Sequence, residues 1–211
     1  MPESARHNRI LTPRPYLSWS QMNLFERDPD AYVAQYIYGA GERTSTAMDF
    51  GKRIAGGLEA RATEDAGIER LRNLLPTFPK KEYEIRAGYS GVPLLARLDL
   101  FSPWRVHIGE LKTGQYPWTQ SRVNEHGQLR FYALAAWLKY RRVPKVELYW
   151  APTEWHDNRL RLTGEVRTFR AELTTEDLLS FGARLRGVWE AIQKISNEHY
   201  SKNLTEARGQ R

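Results

Sequence analysis

Apolar and polar residues alternate along the central part of the chain, between about residues 82 and 113. Alternation of this kind is typical of strands that bury one face, and Ser90-Gly91 and Ser102-Pro103 interrupt it with turn signals. We therefore predict three consecutive strands in this region and two more after residue 144. The predicted strands are 82–89, 93–101, 105–113, 145–152 and 165–173.

Helical periodicity dominates the regions on either side of this meander. The first helix has a serine N-cap, Ser18 or Ser20, and the sequence Asp28-Pro29-Asp30 ends it. The other helices are bounded by glycine, proline or capping residues in the same way. The predicted helices are 18–27, 31–38, 48–75, 119–142 and 174–200.

Helices that flank consecutive and later strands predict an α/β fold, with a central mixed sheet of about four or five strands covered by helices. A chain of 211 residues is long enough for one sizeable domain with its own core. We expect residues 1–16 to form an N-terminal arm, residues 17–200 a single domain, and residues 201–211 a polar C-terminal tail.

The net charge of +7 and the sequence pI of about 9.7 change this picture by indicating an anionic partner. Nucleic acid is the first candidate and a membrane surface the second, although many basic proteins bind neither. Seven Trp and eleven Tyr suit stacking on bases, but most of these aromatic residues are expected in the core.

The chain contains no cysteine, which excludes disulfides, iron–sulfur clusters and thiolate zinc sites within it. We therefore expect neither an iron–sulfur cluster nor zinc as a cofactor. The first residues lack the apolar stretch of a secretory signal, and no run of residues reaches the length of a membrane span. These features favour a cytoplasmic protein with no membrane partner.

The sequence Ile108 to Gly114 carries the clearest chemical signal. Because successive side chains of a strand point to opposite faces, Glu110 and Lys112 share one face. Asp99, eleven residues upstream on the preceding strand, would join them if the two strands pair. Two carboxylates and an ammonium suit a magnesium site at which a phosphodiester is hydrolysed.

The predicted helix 119–142 adds Gln128 and Tyr132, which share a face because they are four residues apart. Each residue alone has an ordinary explanation: a Glu-x-Lys pair is usually a solvated strand face, a helical Gln lies on the surface, and a helical Tyr packs in the core. Their joint occurrence favours a site. His126 is expected on the surface, and His107 is expected to pack on the sheet face opposite Glu110.

The chain resembles the RecB-like branch of the PD-(D/E)XK nuclease superfamily, which includes CRISPR adaptation nucleases and phage exonucleases. In that branch a metal-binding aspartate precedes a (D/E)-X-K element, and a Gln-x-x-x-Tyr pair follows. The resemblance spans about residues 17–150, including an opening segment, 17–36, similar to that of the branch. The matching residues are Asp99, Glu110-Leu111-Lys112, Gln128 and Tyr132.

An upstream helix pattern of the branch, Gly-x-x-x-His-x-x-x-Glu, matches Gly51 and Glu59 but departs at Ala55, where the branch often has a metal-binding histidine. A second departure is Asp28, because many relatives carry a cysteine at that position. The cluster-bearing subset of the branch is therefore excluded. The loss of the histidine argues for weaker metal binding, although some members of the superfamily use carboxylates alone.

The resemblance implies a restriction-endonuclease-like core and a DNA nuclease that uses Mg²⁺ or Mn²⁺, as an exonuclease in DNA processing, recombination or phage DNA metabolism. Asp99, Glu110 and the Leu111 carbonyl would bind the metal, with Glu59 contributing directly or through water. Lys112 would position the attacking water, supported by Gln128 and Tyr132. The residues expected to contact nucleic acid are Arg97, Arg122, Arg130, Ser18 and Gln21.

DNA is then the expected partner, with a helicase, a recombinase or a single-strand-binding protein as candidate protein partners. Two alternatives remain open. The first is a catalytically weakened module on the same fold that binds nucleic acid or assembles with a partner, which the replacement at Ala55 motivates. The second is an unrelated basic scaffold protein in which the motif has arisen by chance.

Overall fold

The computed structural model describes residues 12–41, 44–60 and 64–209, with side chains up to residue 201. Before the first strand, these described residues form four helices and a π-helical turn at Val33–Ile37. The helices are α1 (Trp19–Arg27), α2 (Pro29–Tyr32), α3 (Thr46–Glu59), α4 (Ala66–Leu74), α5 (Gln120–Asn124), α6 (Gly127–Tyr140) and α7 (Thr175–Gly209). The strands are β1 (Lys80–Tyr89), β2 (Val92–Ser102), β3 (His107–Gly114), β4 (Lys145–His156), β5 (Arg159–Leu162) and β6 (Arg167–Ala171).

The described part of the chain forms one six-stranded mixed sheet, which confirms the α/β prediction and adds one strand to it. The order β1-β2-β3-β4 continues into β5, while β6 also pairs with β4. All pairs are antiparallel except β3 and β4, which run parallel because α5 and α6 connect them. The strand missing from the prediction is β5, which forms a hairpin with the end of β4.

The pairing of β3 is uneven, and this unevenness creates the site. β3 pairs with β4 along its whole length, from His107 to Gly114. Its pairing with β2 covers only the residues from His107 to Gly109, opposite Leu100 to Ser102. Beyond Gly109 the two strands form a fork that is open between β2 and β3.

Helices cover the two faces of the sheet. Helices α1, α6 and α7 pack on one face, where the Ala-rich centre of α6 lets its backbone approach the sheet closely. Helices α3 and α4 pack on the opposite face through an apolar cluster of their own. The residues of this second cluster are Phe50, Ile54, Leu58, Ile68, Leu71 and Ala151.

Several helix boundaries differ from the prediction. The predicted helix 48–75 is two helices, because α3 ends at Glu59 and Asp65 caps α4 by accepting hydrogen bonds from two backbone amides. The predicted helix 119–142 is likewise split into α5 and α6. The C-terminal helix continues to Gly209 rather than ending near residue 200. Most of the predicted arm, up to residue 11, lies outside the described residues.

Candidate active site

Three of the predicted site residues meet at the fork between β2 and β3. The Nζ atom of Lys112 lies 2.7 Å from Oε1 of Glu110, so the two side chains form an ion pair on one face of β3. From β2, Oδ2 of Asp99 accepts a 3.0 Å hydrogen bond from the backbone N–H of Leu111. Asp99 thus takes the place of a ladder hydrogen bond that the diverging strands no longer make. The side chain of Leu111 points to the opposite face and packs there, as the alternation predicts.

A chain of hydrogen bonds extends from Lys112 to helix α6. Nζ of Lys112 donates to Oε1 of Gln128 at 2.8 Å, and Nε2 of Gln128 donates to the hydroxyl of Tyr132 at 2.9 Å. Gln128 and Tyr132 share one face of α6 because they are four positions apart. The bond from Lys112 to Gln128 shows that this face is turned towards the sheet. The ammonium is therefore held between a carboxylate and an amide, and its position is fixed from two sides.

Burial sets the electrostatics of this site. Glu110 is only 1% exposed, and its Oε2 atom has no hydrogen-bond partner within the described part of the chain. Burial, and then the neighbouring Asp99, raise the pKa of Glu110 to about 8, although Lys112 opposes the change. The pKa of Asp99 is also raised by burial, against the effects of Lys112, the Leu111 N–H and the adjoining side chain of Glu110.

Lys112 remains a cation in this environment. Burial alone would lower the pKa of Lys112, but the attraction of Glu110 and Asp99 outweighs it and the pKa is raised. A lysine with a raised pKa donates hydrogen bonds and offsets negative charge. It does not serve as a proton acceptor near neutral pH.

Sequence reasoning missed one carboxylate, that of Glu82. The pairing of β1 with β2 continues on both sides of Glu82 and puts it opposite Asp99, with a left-handed φ of 45°. Its pKa is raised by burial and then by the charges of Asp99 and Glu59. Counting residues outward from the Ser90-Gly91 turn, which the sequence does reveal, would have identified this position.

Helix α3 lies across the same region of the sheet. A Cβ atom at Gly51 would lie 3.5 Å from Oγ1 of Thr113, near the end of β3. Two turns later, the charge of Glu59 acts on Glu82 of β1, and the Glu59 side chain is exposed. Ala55 lies one turn from each of them on the same helix stripe. Glu59 is therefore at the margin of the site and not beside Glu110.

The donor set suits a hard divalent cation. Among residues 12–41, 44–60 and 64–209, no three His, Cys, Asp or Glu side chains are close enough to hold a metal ion by themselves. Mg²⁺, however, is commonly bound by one or two carboxylates, with waters and substrate phosphates completing its octahedron. Asp99 and Glu110 supply two carboxylates, and the unpartnered Oε2 of Glu110 is a buried oxygen that such an ion would satisfy. The residues therefore fit magnesium or manganese.

Two of the residues predicted to contact nucleic acid are exposed near the site. Arg97 lies close enough to Glu82 for its charge to oppose the rise in the pKa of that carboxyl group. Arg122 lies over the ring of Trp118, with its guanidinium carbon 4.0 Å from the ring centre. Both side chains are accessible to a phosphate.

The other three of these predicted residues are engaged within the fold. Ser18 caps α1 by accepting from the backbone N–H of Gln21. Gln21 is 1% exposed and donates to the Tyr16 carbonyl, so it has almost no surface to offer a ligand. Arg130 donates to the carbonyl of Asn124 and ties α6 to α5. Their positions explain local structure without a nucleic acid, and a contact with one stays a prediction.

His107 and His126 occupy different environments in the structure. His107 packs against the ring of Phe78 on the face opposite Glu110, which agrees with the expected packing role. His126 was expected on the surface, but it is partly buried between Trp118 and Trp19. Burial, and then the charges of Lys112 and Arg122, lower the pKa of His126 to about 4. This burial was not predictable from local spacing, because Trp19 is distant from His126 along the chain.

Comparisons with solved structures support the fold. The structure of a "Putative exonuclease" from Eubacterium rectale superposes with a TM-score of 0.60 and 13% identity, over 94% of this chain and 87% of that one. The protein SSO0001 gives a TM-score of 0.44 and 13% identity, over 81% and 74% of the two chains. Candida albicans Rai1, solved with pU5 and Mn²⁺, gives 0.28 and 16%, over 76% and 50%. Only the first superposition is close enough to indicate a common fold.

No curated protein matches the chain significantly. Among the described residues, no helix combines the length and apolar character needed to cross a membrane. The sequence profile of the PD-(D/E)XK nuclease superfamily matches residues 58–207, a region that contains Asp99, Glu110, Lys112, Gln128 and Tyr132. Because this match covers most of the chain and the sheet has the corresponding mixed topology, the chain belongs to the PD-(D/E)XK nuclease superfamily.

Proposed function

We propose that this protein is a deoxyribonuclease that depends on Mg²⁺ or Mn²⁺ and acts as an exonuclease. The observation that carries the proposal is the buried Glu110, which is ion-paired to Lys112, adjoins Asp99 and keeps one oxygen without a partner. A purely structural carboxylate at 1% exposure would be expected to have both oxygens satisfied. A site that leaves one free favours a ligand.

The proposed metal ligands are Asp99, Glu110 and the carbonyl of Leu111, with Glu59 contributing through water because it lies at the margin. An ion held by these residues would lower the pKa of a water molecule and polarise a phosphoryl oxygen. Lys112 orients that water and opposes the negative charge that develops on the phosphate. The water oxygen would bond to phosphorus as the P–O ester bond breaks, with the proton of the water passing to solvent and the leaving oxygen taking up a proton from solvent.

Gln128 and Tyr132 serve as positioning residues in this scheme. Gln128 holds the ammonium of Lys112 from the α6 side, and the buried Tyr132 holds Gln128 in turn. The chain of bonds limits the movement of Lys112 at the moment when charge develops. Positioning of this kind contributes a large part of the rate enhancement of enzymes.

DNA is the proposed substrate, and hydrolysis from an end of the strand is the proposed action. The net charge of +7 favours a polyanion, and the structurally similar E. rectale protein is described as an exonuclease. On the sequence alone, we further propose a cytoplasmic role in DNA processing, recombination or phage DNA metabolism, with a helicase, recombinase or single-strand-binding protein as partner. The second candidate, a weakened nuclease-fold module that binds nucleic acid, is favoured by Ala55.

The test measures cleavage of three labelled substrates in Mg²⁺, Mn²⁺, Ca²⁺ or chelator. The substrates are linear DNA, circular DNA and single-stranded DNA. We expect cleavage of linear DNA in Mn²⁺ and Mg²⁺ and little in Ca²⁺, with products released from an end. Binding should weaken steeply with salt, with a slope of about −0.9 per phosphate neutralised on duplex. Binding without cleavage in any metal would favour the second candidate, and binding that ignores salt would remove the nucleic-acid proposal.

A further inference from the structure

The loop that follows β3, residues 115–119, presents aromatic side chains next to the site. Tyr116 is 82% exposed, which is unusual for a large aromatic side chain. Trp118 is partly buried against the core, and the guanidinium carbon of the exposed Arg122 lies 4.0 Å from the centre of the Trp118 ring. The loop and the first turn of α5 thus display one open ring, that of Tyr116, and one guanidinium, that of Arg122, over the ring of Trp118.

This loop adjoins the site through Trp118. The rings of Trp118 and His126 are 5.0 Å apart, and the charge of Lys112 contributes to the low pKa of His126. Two residues after His126, Gln128 holds the Lys112 ammonium. Tyr116 is four residues from Lys112, so their Cα atoms are at most about 14 Å apart.

Exposed aromatic rings and guanidinium planes next to a phosphate-cleaving site match the chemistry of nucleobases. Bases of a single strand present open π-faces that stack on aromatic and Arg side chains, whereas bases of a duplex already stack on one another. A platform of this kind therefore favours unpaired nucleotides. Binding to phosphates alone would need the Arg charge but no exposed ring.

We propose that Tyr116 and the Arg122–Trp118 pair stack the unpaired bases that flank the scissile phosphate, so the substrate strand is single-stranded DNA. This inference rests on the proposed nuclease function and adds the class of substrate to it. Tyr116 contributes an open ring, and Arg122 contributes both a stacking plane and a charge for the neighbouring phosphate.

The experiment measures binding separately from cleavage. Fluorescence anisotropy in Ca²⁺ compares a labelled single-stranded dodecamer with three competitors: a blunt duplex, an RNA dodecamer of the same sequence, and an abasic deoxyribose-phosphate dodecamer with the same phosphates. The variants are Tyr116→Ala and Tyr116→Phe. Trp104→Ala is the matched control, because Trp104 is a comparably exposed ring, at 73%, in the turn before β3 at the other end of the strand.

Tyr116→Ala should weaken binding of the single-stranded dodecamer by about 5-fold or more, since stacking contributes about 1–3 kcal/mol per base. Its affinity for the abasic strand should not change. Tyr116→Phe should bind like the wild type, and Trp104→Ala should change neither affinity. These variants lie on the surface, so circular dichroism should show unchanged folding.

Other outcomes overturn the inference in distinguishable ways. Equal affinity of Tyr116→Ala and wild type for the single strand, or tighter binding of the duplex, would reject stacking while continued cleavage preserves the nuclease. Tighter binding of RNA would reject DNA as the substrate strand. A wild-type protein that neither binds nor cleaves any of these strands would reject the proposed function together with the inference.

Discussion

Glu110 and Glu147, one buried and one partly buried, lie on neighbouring strands and have their carboxylate oxygens satisfied in different ways. Glu147 on β4 has both carboxylate oxygens engaged: Oε1 by Lys145 at 2.7 Å, and Oε2 by Tyr149 at 2.6 Å and by His107 at 2.9 Å. Burial would raise its pKa, but the hydrogen bonds from Lys145 and Tyr149 outweigh burial and the pKa is lowered. Glu110 on β3 has one cationic partner, one unpartnered oxygen and a raised pKa.

The difference separates a carboxylate that stabilises the fold from one that is available to a ligand. A buried carboxylate stabilises only when its lone pairs are satisfied, because desolvation otherwise exceeds the gain. Glu147 meets this condition within the protein. Glu110 does not, and a divalent cation would supply what it lacks. Desolvation of Glu110 therefore costs free energy of folding at the site, whereas the hydrogen bonds of Glu147 offset its desolvation.

The largest expected effect concerns activity. Glu110→Gln should lower metal-dependent cleavage by about 10²- to 10³-fold or more, because it removes the charge of a proposed metal ligand while keeping the volume. Lys112→Ala should have an effect of the same order. The measurement is the initial cleavage rate in Mg²⁺ and Mn²⁺, with Glu147→Gln as the control that should retain activity. Wild-type rates for Glu110→Gln would refute the assignment of the site.

The next effect is on the free energy of unfolding. It should depend more on Glu147 than on Glu110, which reverses the order expected for activity. Glu147→Gln should lower the free energy of unfolding by about 1.5–3 kcal/mol, because it weakens a charged network of three partners. Glu110→Gln should cost less, or even stabilise the metal-free protein. Denaturant unfolding at pH 7.5 in chelator checks both. A greater loss for Glu110→Gln would show that Glu110 is the structural carboxylate.

The pH dependence of stability should differ in sign between the two carboxylates. The pKa of Glu110 is raised from 4.5 to about 8, so the unfolded state binds fewer protons in that window and the Glu110 contribution is lost as pH rises through it. The pKa of Glu147 is lowered, so its contribution is present above 4.5 and is lost as pH falls below that value. In chelator, Glu110→Gln should flatten the first slope and Glu147→Gln the second, whereas unchanged slopes would contradict the comparison.

A smaller effect is expected for Glu82, the carboxylate of β1 that lies opposite Asp99. Glu82→Gln should weaken metal binding by a few-fold, since it removes a negative charge near Asp99 without removing a direct ligand of the proposed set. A titration of cleavage rate against Mn²⁺ measures this, and Glu84→Gln, two residues along the same strand, is the control. A loss as large as that of Glu110→Gln would make Glu82 a ligand in its own right.

The smallest expected effect comes from adding a ligand to the under-satisfied site. If Ala55 faces the metal, Ala55→His should strengthen Mn²⁺ binding or cleavage by a few-fold, because imidazole suits manganese and similar ions. Ala55→Leu provides a control of comparable bulk without a ligand atom. A folded Ala55→His protein whose metal titration matches the wild type would show that position 55 faces away from the ion.

The parts of the site that lie close together in the sequence were predictable. The alternation of β3 defines the shared face of Glu110 and Lys112, and helical spacing defines that of Gln128 and Tyr132. The link between these two pairs, the bond from Lys112 to Gln128, depends on how α6 packs on the sheet. Local spacing cannot determine such packing.

Features set by tertiary contacts or by unusual backbone angles were not predicted. Strand β5 depends on a turn in which Asp157 and Asn158 both have left-handed φ values of 48° and 57°, a hairpin signal that was overlooked. The burial of His126 depends on Trp19, more than a hundred residues earlier. The residue types around His126 were compatible with its burial but did not specify it.

The bond between the backbone N–H of Leu111 and Oδ2 of Asp99 makes one amide proton a natural sensor of the site. Any event that changes the charge or position of the Asp99 carboxylate must change the shielding of that proton. A two-dimensional NMR spectrum of the unmodified protein would therefore register occupation of the fork at a single resonance. The neighbouring amides of β3 that bond to β4 provide an internal reference on the same strand.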